Sequence, residues 1–135
     1  MKITTAMLAD SAQVQGGKLY VLGGGFDTIS TKQVPVVHRN LALALVAEVG
    51  PEERHRDLEM AITLMDEDGQ PIGVEAKGKL RVGAPPNLPP GASSVVPMVS
   101  PFFNLKFDEA KGYAFIVEFE GEEIARVRFR IVLVD

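Results

Sequence analysis

Tyr113 to Leu133, with the sequence YAFIVEFEGEEIARVRFRIVL, is the strongest indication of the fold class. Apolar residues alternate with other residues on both sides of Gly121, and this period of two indicates β-strands that bury one face. A glycine between the two runs permits a tight turn, so we predict a β-hairpin. The first apolar row holds Tyr113, Phe115, Val117 and Phe119, and the second holds Ala125, Val127, Phe129, Ile131 and Leu133.

The register of this hairpin follows from one condition. Both apolar rows must face the same core, since a slip of one residue would turn every side chain of a strand to the other face. A three-residue loop over residues 121–123 satisfies the condition. The predicted core-facing pairs are Tyr113–Ile131, Phe115–Phe129, Val117–Val127 and Phe119–Ala125, and the predicted outer pairs are Ala114–Arg130, Ile116–Arg128 and Glu118–Arg126.

Similar alternation runs along most of the remaining chain. A first strand over residues 2–13 leads into a glycine turn, and a second strand is interrupted by Gly23, Gly24 and Gly25 in the manner of a β-bulge. Residues 41–45 are apolar on both faces, which predicts a central strand covered on both sides. We therefore predict one all-β domain over residues 1–135, a two-layer antiparallel β-sandwich of about eight strands. A partly open β-barrel is the alternative.

Residues 83–101 differ from the rest of the chain in composition. Six of the nine prolines lie there. We predict a long crossover between the two sheets, because too little chain follows it to fold alone. Stiff apolar segments lose little entropy on binding, so Leu88, Val95 and Met98 are candidates for a partner surface. The commoner arrangement is a crossover packed on its own domain.

The bulk composition excludes several chemistries. The chain has 135 residues, no cysteine and a net charge of −4. Disulfides, thiolate catalysis and zinc–thiolate sites are therefore excluded, and the acidic balance argues against nucleic-acid binding. No apolar run approaches the ~20 residues that a membrane span requires. We expect neither a membrane nor a secretory route, and a cytoplasmic location.

Two charged clusters are candidate sites. Asp66 and Asp68 could ligate calcium, but Lys77 stands where a calcium loop would place its bidentate glutamate, and an Asp-Gly hairpin turn fits better. Arg126, Arg128 and Arg130 recur at every second position and so form a row that phosphate groups could follow. A solvated face with exposed ion pairs is the favoured interpretation of this row.

Several stretches together are similar to a known family. They are Met7–Ala12, Gly17–Asp27, Val34–His38, Asp66–Gly69, Gly112–Phe115 and Glu120–Glu122. The combination resembles a family of small uncharacterised bacterial proteins, common in actinobacteria and described as a domain of unknown function. The resemblance spans nearly the whole chain, and its motifs are turns and strand starts. It implies a compact all-β domain in a bacterial cytoplasm and carries no functional residues.

The leading hypothesis for function is a non-enzymatic binding or protein-interaction domain. It could form a homo-oligomer through a sheet edge or through the proline-rich segment. Alternatives are a binder of small ligands or carbohydrates and, less favoured, an enzyme that uses scattered carboxylates. No catalytic residue and no cofactor is assigned, because the nucleophile-elbow and phosphate-loop motifs are absent from the sequence.

Overall fold

The computed structural model describes residues 1–83 and 87–135, and the regular secondary structure of these residues is almost entirely β-strand. One short 3-10 helix, Pro51–Glu53, interrupts them. The strands are β1 (Lys2–Gln15), β2 (Lys18–Phe26), β3 (Thr28–Thr31), β4 (Val36–Val49), β5 (Leu58–Asp66), β6 (Pro71–Leu80), β7 (Ser94–Phe107), β8 (Gly112–Phe119) and β9 (Glu122–Leu133).

The strands form two sheets. The four-stranded sheet has the order β2-β1-β4-β7, and the five-stranded sheet has the order β3-β9-β8-β5-β6. Every pair of neighbours is antiparallel except β3 and β9. The predicted all-β sandwich is confirmed, and the sheets do not close into a barrel. The strand count exceeds the prediction because the chain changes sheets at Asp27, between β2 and β3.

The core lies between the two sheets. Its centre is an aromatic cluster in which the Phe115 ring lies 4.9 Å from Phe102 and 5.6 Å from Phe129. Phe102 belongs to the four-stranded sheet, whereas Phe115 and Phe129 belong to the other, so these contacts join the layers. Residues 41–45 are all buried in β4, which confirms the prediction of a central strand.

The register predicted for the final hairpin is wrong by two residues. Phe115 pairs with Val127 and Tyr113 with Phe129. The chain turns at Glu120 and Gly121, which have φ of 50° and 82°, so the turn has only two residues. An extra residue, Ile124, then forms a bulge where the pairing shifts. Turn and bulge together preserve the predicted faces.

The predicted crossover of residues 83–101 is also corrected. Strand β7 begins at Ser94, so Pro97 and Pro101 lie within a strand. Its only strand neighbour in the described part of the chain is β4. Prolines are tolerated at such an edge because they have no N–H to donate to a further strand. The actual connection between the sheets is residues 81–93, and its Pro85 and Pro86 fall outside the described residues.

The 3-10 helix anchors one end of the sandwich. Glu53 is buried, and its carboxylate accepts hydrogen bonds from the N–H of Gly50 (3.0 Å) and from the amino group of Met1. Burial alone would raise the pKa of Glu53, but these two hydrogen bonds outweigh it and the pKa is lowered. The described residues contain no helix with the length and apolarity needed to cross a membrane.

Candidate interaction surface

Four strands lie at the edges of the two sheets in the described part of the chain, and each carries some feature that discourages pairing with another chain. Strand β3 has only four residues. Strand β6 presents the exposed Lys77 and Lys79, and β7 contains Pro97 and Pro101. Short length, lysines and prolines each make an edge a poor template for strand addition.

Strand β2 carries such features only at its ends, Lys18 at its start and the bulge at its glycines, and it is open between them. Its residues 19–22, Leu-Tyr-Val-Leu, contain neither proline nor a charged side chain. Tyr20 is 51% exposed and Leu22 is 72% exposed, and both lie on one face because they are two residues apart. Among the described residues, β1 is the only strand that pairs with β2. The edge of β2 therefore offers both backbone groups and apolar side chains.

The glycines at the far end of β2 limit the regular part of this edge. Gly23 and Gly25 have φ of 62° and 85°, and the pairing with β1 shifts between Leu8 and Ala9. The predicted bulge is thus confirmed. A Cβ at Gly23 would collide with the carboxylate of Asp10, so the glycine allows β1 and β2 to approach closely. The regular stretch of the free edge ends at Leu22.

One shallow groove adjoins β2, and a second lies next to it over β1, β4 and β7. The first, of about 400 Å³, is lined by Ser11, Tyr20 and Leu22 among others. The second, of about 330 Å³, shares Ser11 with it and extends to Phe103, which is 66% exposed. The two grooves together run from β2 across β1 and β4 to β7, and the polar Ser11 and Asn40 lie between Leu22 and Phe103. We call the edge of β2 together with Tyr20, Leu22 and Phe103 the β2 surface.

The predicted arginine row lies on the outer face of the five-stranded sheet, in a cleft of about 910 Å³. Arg126 donates to Glu123 (2.7 Å), which lowers the pKa of that carboxyl, and Arg130 lies 4.0 Å from Asp27. Arg128 is exposed between them and forms no ion pair with a described residue. Arg126 and Arg130 therefore fit the favoured interpretation of a solvated face with ion pairs. Arg128 differs from them because it has no ion pair with a described residue.

Asp66 performs a structural role at one end of this cleft. Its Oδ1 accepts the N–H groups of Gln70 and Asp68, both at 2.9 Å, and its Oδ2 accepts the Lys111 ammonium at 3.1 Å. These hydrogen bonds, that from Gln70 foremost, lower the pKa of Asp66. The described residues contain no group of three or more acidic, histidine or cysteine side chains that could hold a metal ion. Both carboxylate oxygens of Asp66, which a cation would need as ligands, already accept hydrogen bonds from the turn and from Lys111.

The partner residues predicted from the proline-rich segment do not lie together. Val95 is 71% exposed on β7, and Leu88 is half-buried in the connection before it. Met98 is paired with Leu45, is partly buried and packs against the core. Strand alternation explains the split, since Val95 and Met98 are an odd number of residues apart.

Sequence reasoning missed the β2 surface and a polar contact at the other end of the molecule. The Arg54 Nε donates to Ser94 Oγ at 3.0 Å, and its guanidinium also donates to the carbonyl of Ala92. This side chain ties the charged loop at residues 50–56 to the start of β7. Neither feature has a local motif, because both depend on which strands become neighbours.

The described residues form a β-sandwich in which one edge strand, β2, is open over residues 19–22. The chain belongs to a family of unknown function (DUF6941), whose model matches residues 4–132. The resemblance to a family of unknown function is therefore confirmed. No curated protein matches the chain.

Two solved structures share a weak likeness. A β-glucuronidase from glycoside hydrolase family 2 matches with 10% identity and a TM-score of 0.40, over 76% of this chain and 11% of that one. The alkylpurine DNA glycosylase AlkC of Pseudomonas fluorescens, bound to DNA containing an abasic site analog, matches with 13% identity and a TM-score of 0.44, over 94% of this chain and 30% of that one. The chain spans less than a third of either protein.

Proposed function

We propose that this chain is a non-enzymatic protein-interaction domain that binds its partner through the β2 surface. One observation carries the proposal. Of the four sheet edges that the described residues form, β2 alone has neither a proline, nor a lysine beyond its first residue Lys18, nor a length of only four residues. An edge left open in this way supports binding by addition of a strand, in which main-chain hydrogen bonds give affinity and side chains give specificity.

The side chains of the β2 surface fit this role. Tyrosine and phenylalanine are enriched at protein interfaces, and Tyr20 and Phe103 are both more than half exposed. Leu22 adds a large aliphatic side chain that is 72% exposed. Burying such side chains is favourable by about 25 cal/mol per Å² of apolar area.

The cellular setting forms part of the same proposal. The sequence has no cysteine, which suits a reducing compartment as well as any other. We infer a bacterial cytoplasmic protein that acts by contact with another protein chain.

The experiment that tests this function compares two positions of matched exposure. Leu22 is 72% exposed on the open edge, and Val95 is 71% exposed on the proline-containing edge. A photo-crosslinking amino acid is placed at one position or the other, and the cells of origin are irradiated. We expect a discrete adduct from position 22 and none from position 95. The adduct should vanish when Tyr20→Lys is added, because a charged side chain in the middle of the uncharged stretch 19–22 opposes strand addition.

Equal adducts from both positions would contradict the proposal, and so would an adduct from position 22 that persists with Tyr20→Lys. An absence of adducts from position 22 would contradict it as well.

A second candidate function rests on Arg128. Its guanidinium has no ionic partner among the described residues and stands in the cleft beside the apolar Ala114, with which it is paired. Such a group binds carboxylate or phosphate in bidentate geometry. If this candidate holds, the protein is retained on heparin at low salt and Arg128→Glu abolishes the retention. Arg126→Gln, whose parent side chain is paired with Glu123, is the control.

A further inference from the structure

We propose that the partner of β2 is a second copy of this chain, joined antiparallel about a two-fold axis at Tyr20. This inference rests on the proposed function, because it identifies the chain that occupies the free edge. Two copies of one strand related by a two-fold axis pair antiparallel and present the same surface to each other. The arrangement would extend each four-stranded sheet into one continuous sheet across both copies.

The register follows from the length of the regular edge. Lys18 begins β2, and the positive φ of Gly23 ends its regular part after Leu22. Two copies that pair along this whole stretch must have its midpoint, Tyr20, on the axis. Lys18 of one copy then lies opposite Leu22 of the other, and Leu19 lies opposite Val21.

The side chains agree with this register. Lys18, Tyr20 and Leu22 share one face, so the two tyrosines meet at the axis and the aliphatic stem of each lysine covers the other copy's Leu22. Beyond them, Gly17 and Gly16 face the other copy's Gly23 and Gly24. A Cβ at Gly16 or Gly17 would meet no atom within 4 Å, so the turn leaves room for the approach.

The charges at the two ends of β2 favour a second copy in antiparallel orientation. Lys18 stands at the start of the strand, while Asp27 follows its end and Asp10 lies beside Gly23. Antiparallel pairing brings the lysine of each copy toward the acidic end of the other. Parallel pairing would instead set Lys18 against Lys18. The charges of two antiparallel copies of β2 are therefore complementary. Charge complementarity of this kind determines the orientation of the two strands more than their affinity.

Single-cysteine variants test the register directly, because the native chain has no cysteine. Tyr20→Cys, Leu22→Cys and Val95→Cys are oxidised mildly, and disulfide-linked dimers are measured on non-reducing gels. All three positions are exposed in the folded chain, so circular dichroism should show unchanged folding. We expect Tyr20→Cys to form the dimer roughly tenfold faster than Val95→Cys, because pairing raises the local thiol concentration. Leu22→Cys should match Val95→Cys, and adding Lys18→Cys to Leu22→Cys should restore fast cross-linking.

Two results would overturn the inference. If light scattering shows a dimer but Tyr20→Cys cross-links no faster than Val95→Cys, the axis does not lie at Tyr20. If the wild-type protein is a monomer at every concentration, the occupant is not a second copy. In the second case the photo-crosslinking at position 22 still decides the proposed function, so the two failures are distinguishable.

Discussion

Leu22 of β2 pairs with Ser11 of β1, yet the leucine side chain is 72% exposed. On one side β2 is held by β1, and on its other side no described strand follows. A large aliphatic side chain beside an open strand edge is the combination that sheet proteins usually avoid. This relationship underlies the proposed contact surface.

The adjacent phenylalanines of β7 should differ sharply in their contribution to stability. Phe102 is 8% exposed and its ring lies 4.9 Å from that of Phe115, whereas Phe103 is 66% exposed. Phe102→Ala should lower the free energy of unfolding by about 3–5 kcal/mol, because it opens a cavity between the sheets. Phe103→Ala should change it by less than about 0.5 kcal/mol. Urea denaturation of both variants measures the difference, and similar losses would disprove the assigned faces of β7.

A comparison of two glycines distinguishes the effect of backbone conformation from the effect of the space available for a side chain. A Cβ at Gly121 or at Gly78 would meet no atom within 4 Å, but only Gly121 has a positive φ, of 82°. Gly121→Ala should lower the free energy of unfolding by about 1–2 kcal/mol, since the left-handed conformation is unfavourable for alanine. Gly78→Ala should be neutral or stabilising, because alanine restricts the unfolded chain. Thermal unfolding measures both. A harmless Gly121→Ala would argue against the two-residue turn.

Asp66 should make stability depend on pH in the acidic range. Its hydrogen bonds lower the pKa of the carboxyl in the folded chain below the ordinary value of 3.8. The stabilisation is therefore complete above that value and is lost as the pH falls through the folded-state pKa. Asp66→Ala should lower the Tm at neutral pH, and the difference from wild type should shrink below pH 3.8. Asp68→Ala is the control, because only its backbone N–H takes part in the turn. A difference for Asp66→Ala that stays constant with pH would refute the role given to this carboxylate.

Alternation along the sequence was sufficient to predict the faces of the final hairpin but not its register. A three-residue loop and a two-residue turn followed by a bulge give the same parity, so Phe129 is buried and Arg128 exposed in either case. The shorter turn requires a positive φ at Glu120, and glutamate has no strong preference for a positive φ. Local pattern therefore could not separate the two.

The interaction surface could not be predicted for a different reason. Whether Leu22 is exposed depends on the order of strands in the sheet, which is a property of the whole chain. The same applies to Pro97 and Pro101. The many prolines of residues 83–101 suggested a crossover, but β7 contains both prolines because it lies at the edge of its sheet. The composition shows which part of the sequence is rich in proline, but only the strand order shows that two of these prolines lie on a sheet edge.

Sedimentation equilibrium tests most directly that the β2 edge joins two copies of this chain. The wild-type protein should approach twice its chain mass of 14.6 kDa as its concentration rises. Tyr20→Lys should remain at the mass of one chain, because it places a charge at the two-fold axis, and Val95→Lys, on the opposite edge of the same sheet, should behave as wild type. A dimer that survives Tyr20→Lys but is lost in Val95→Lys, or a wild-type protein that never exceeds the mass of one chain, would contradict the account.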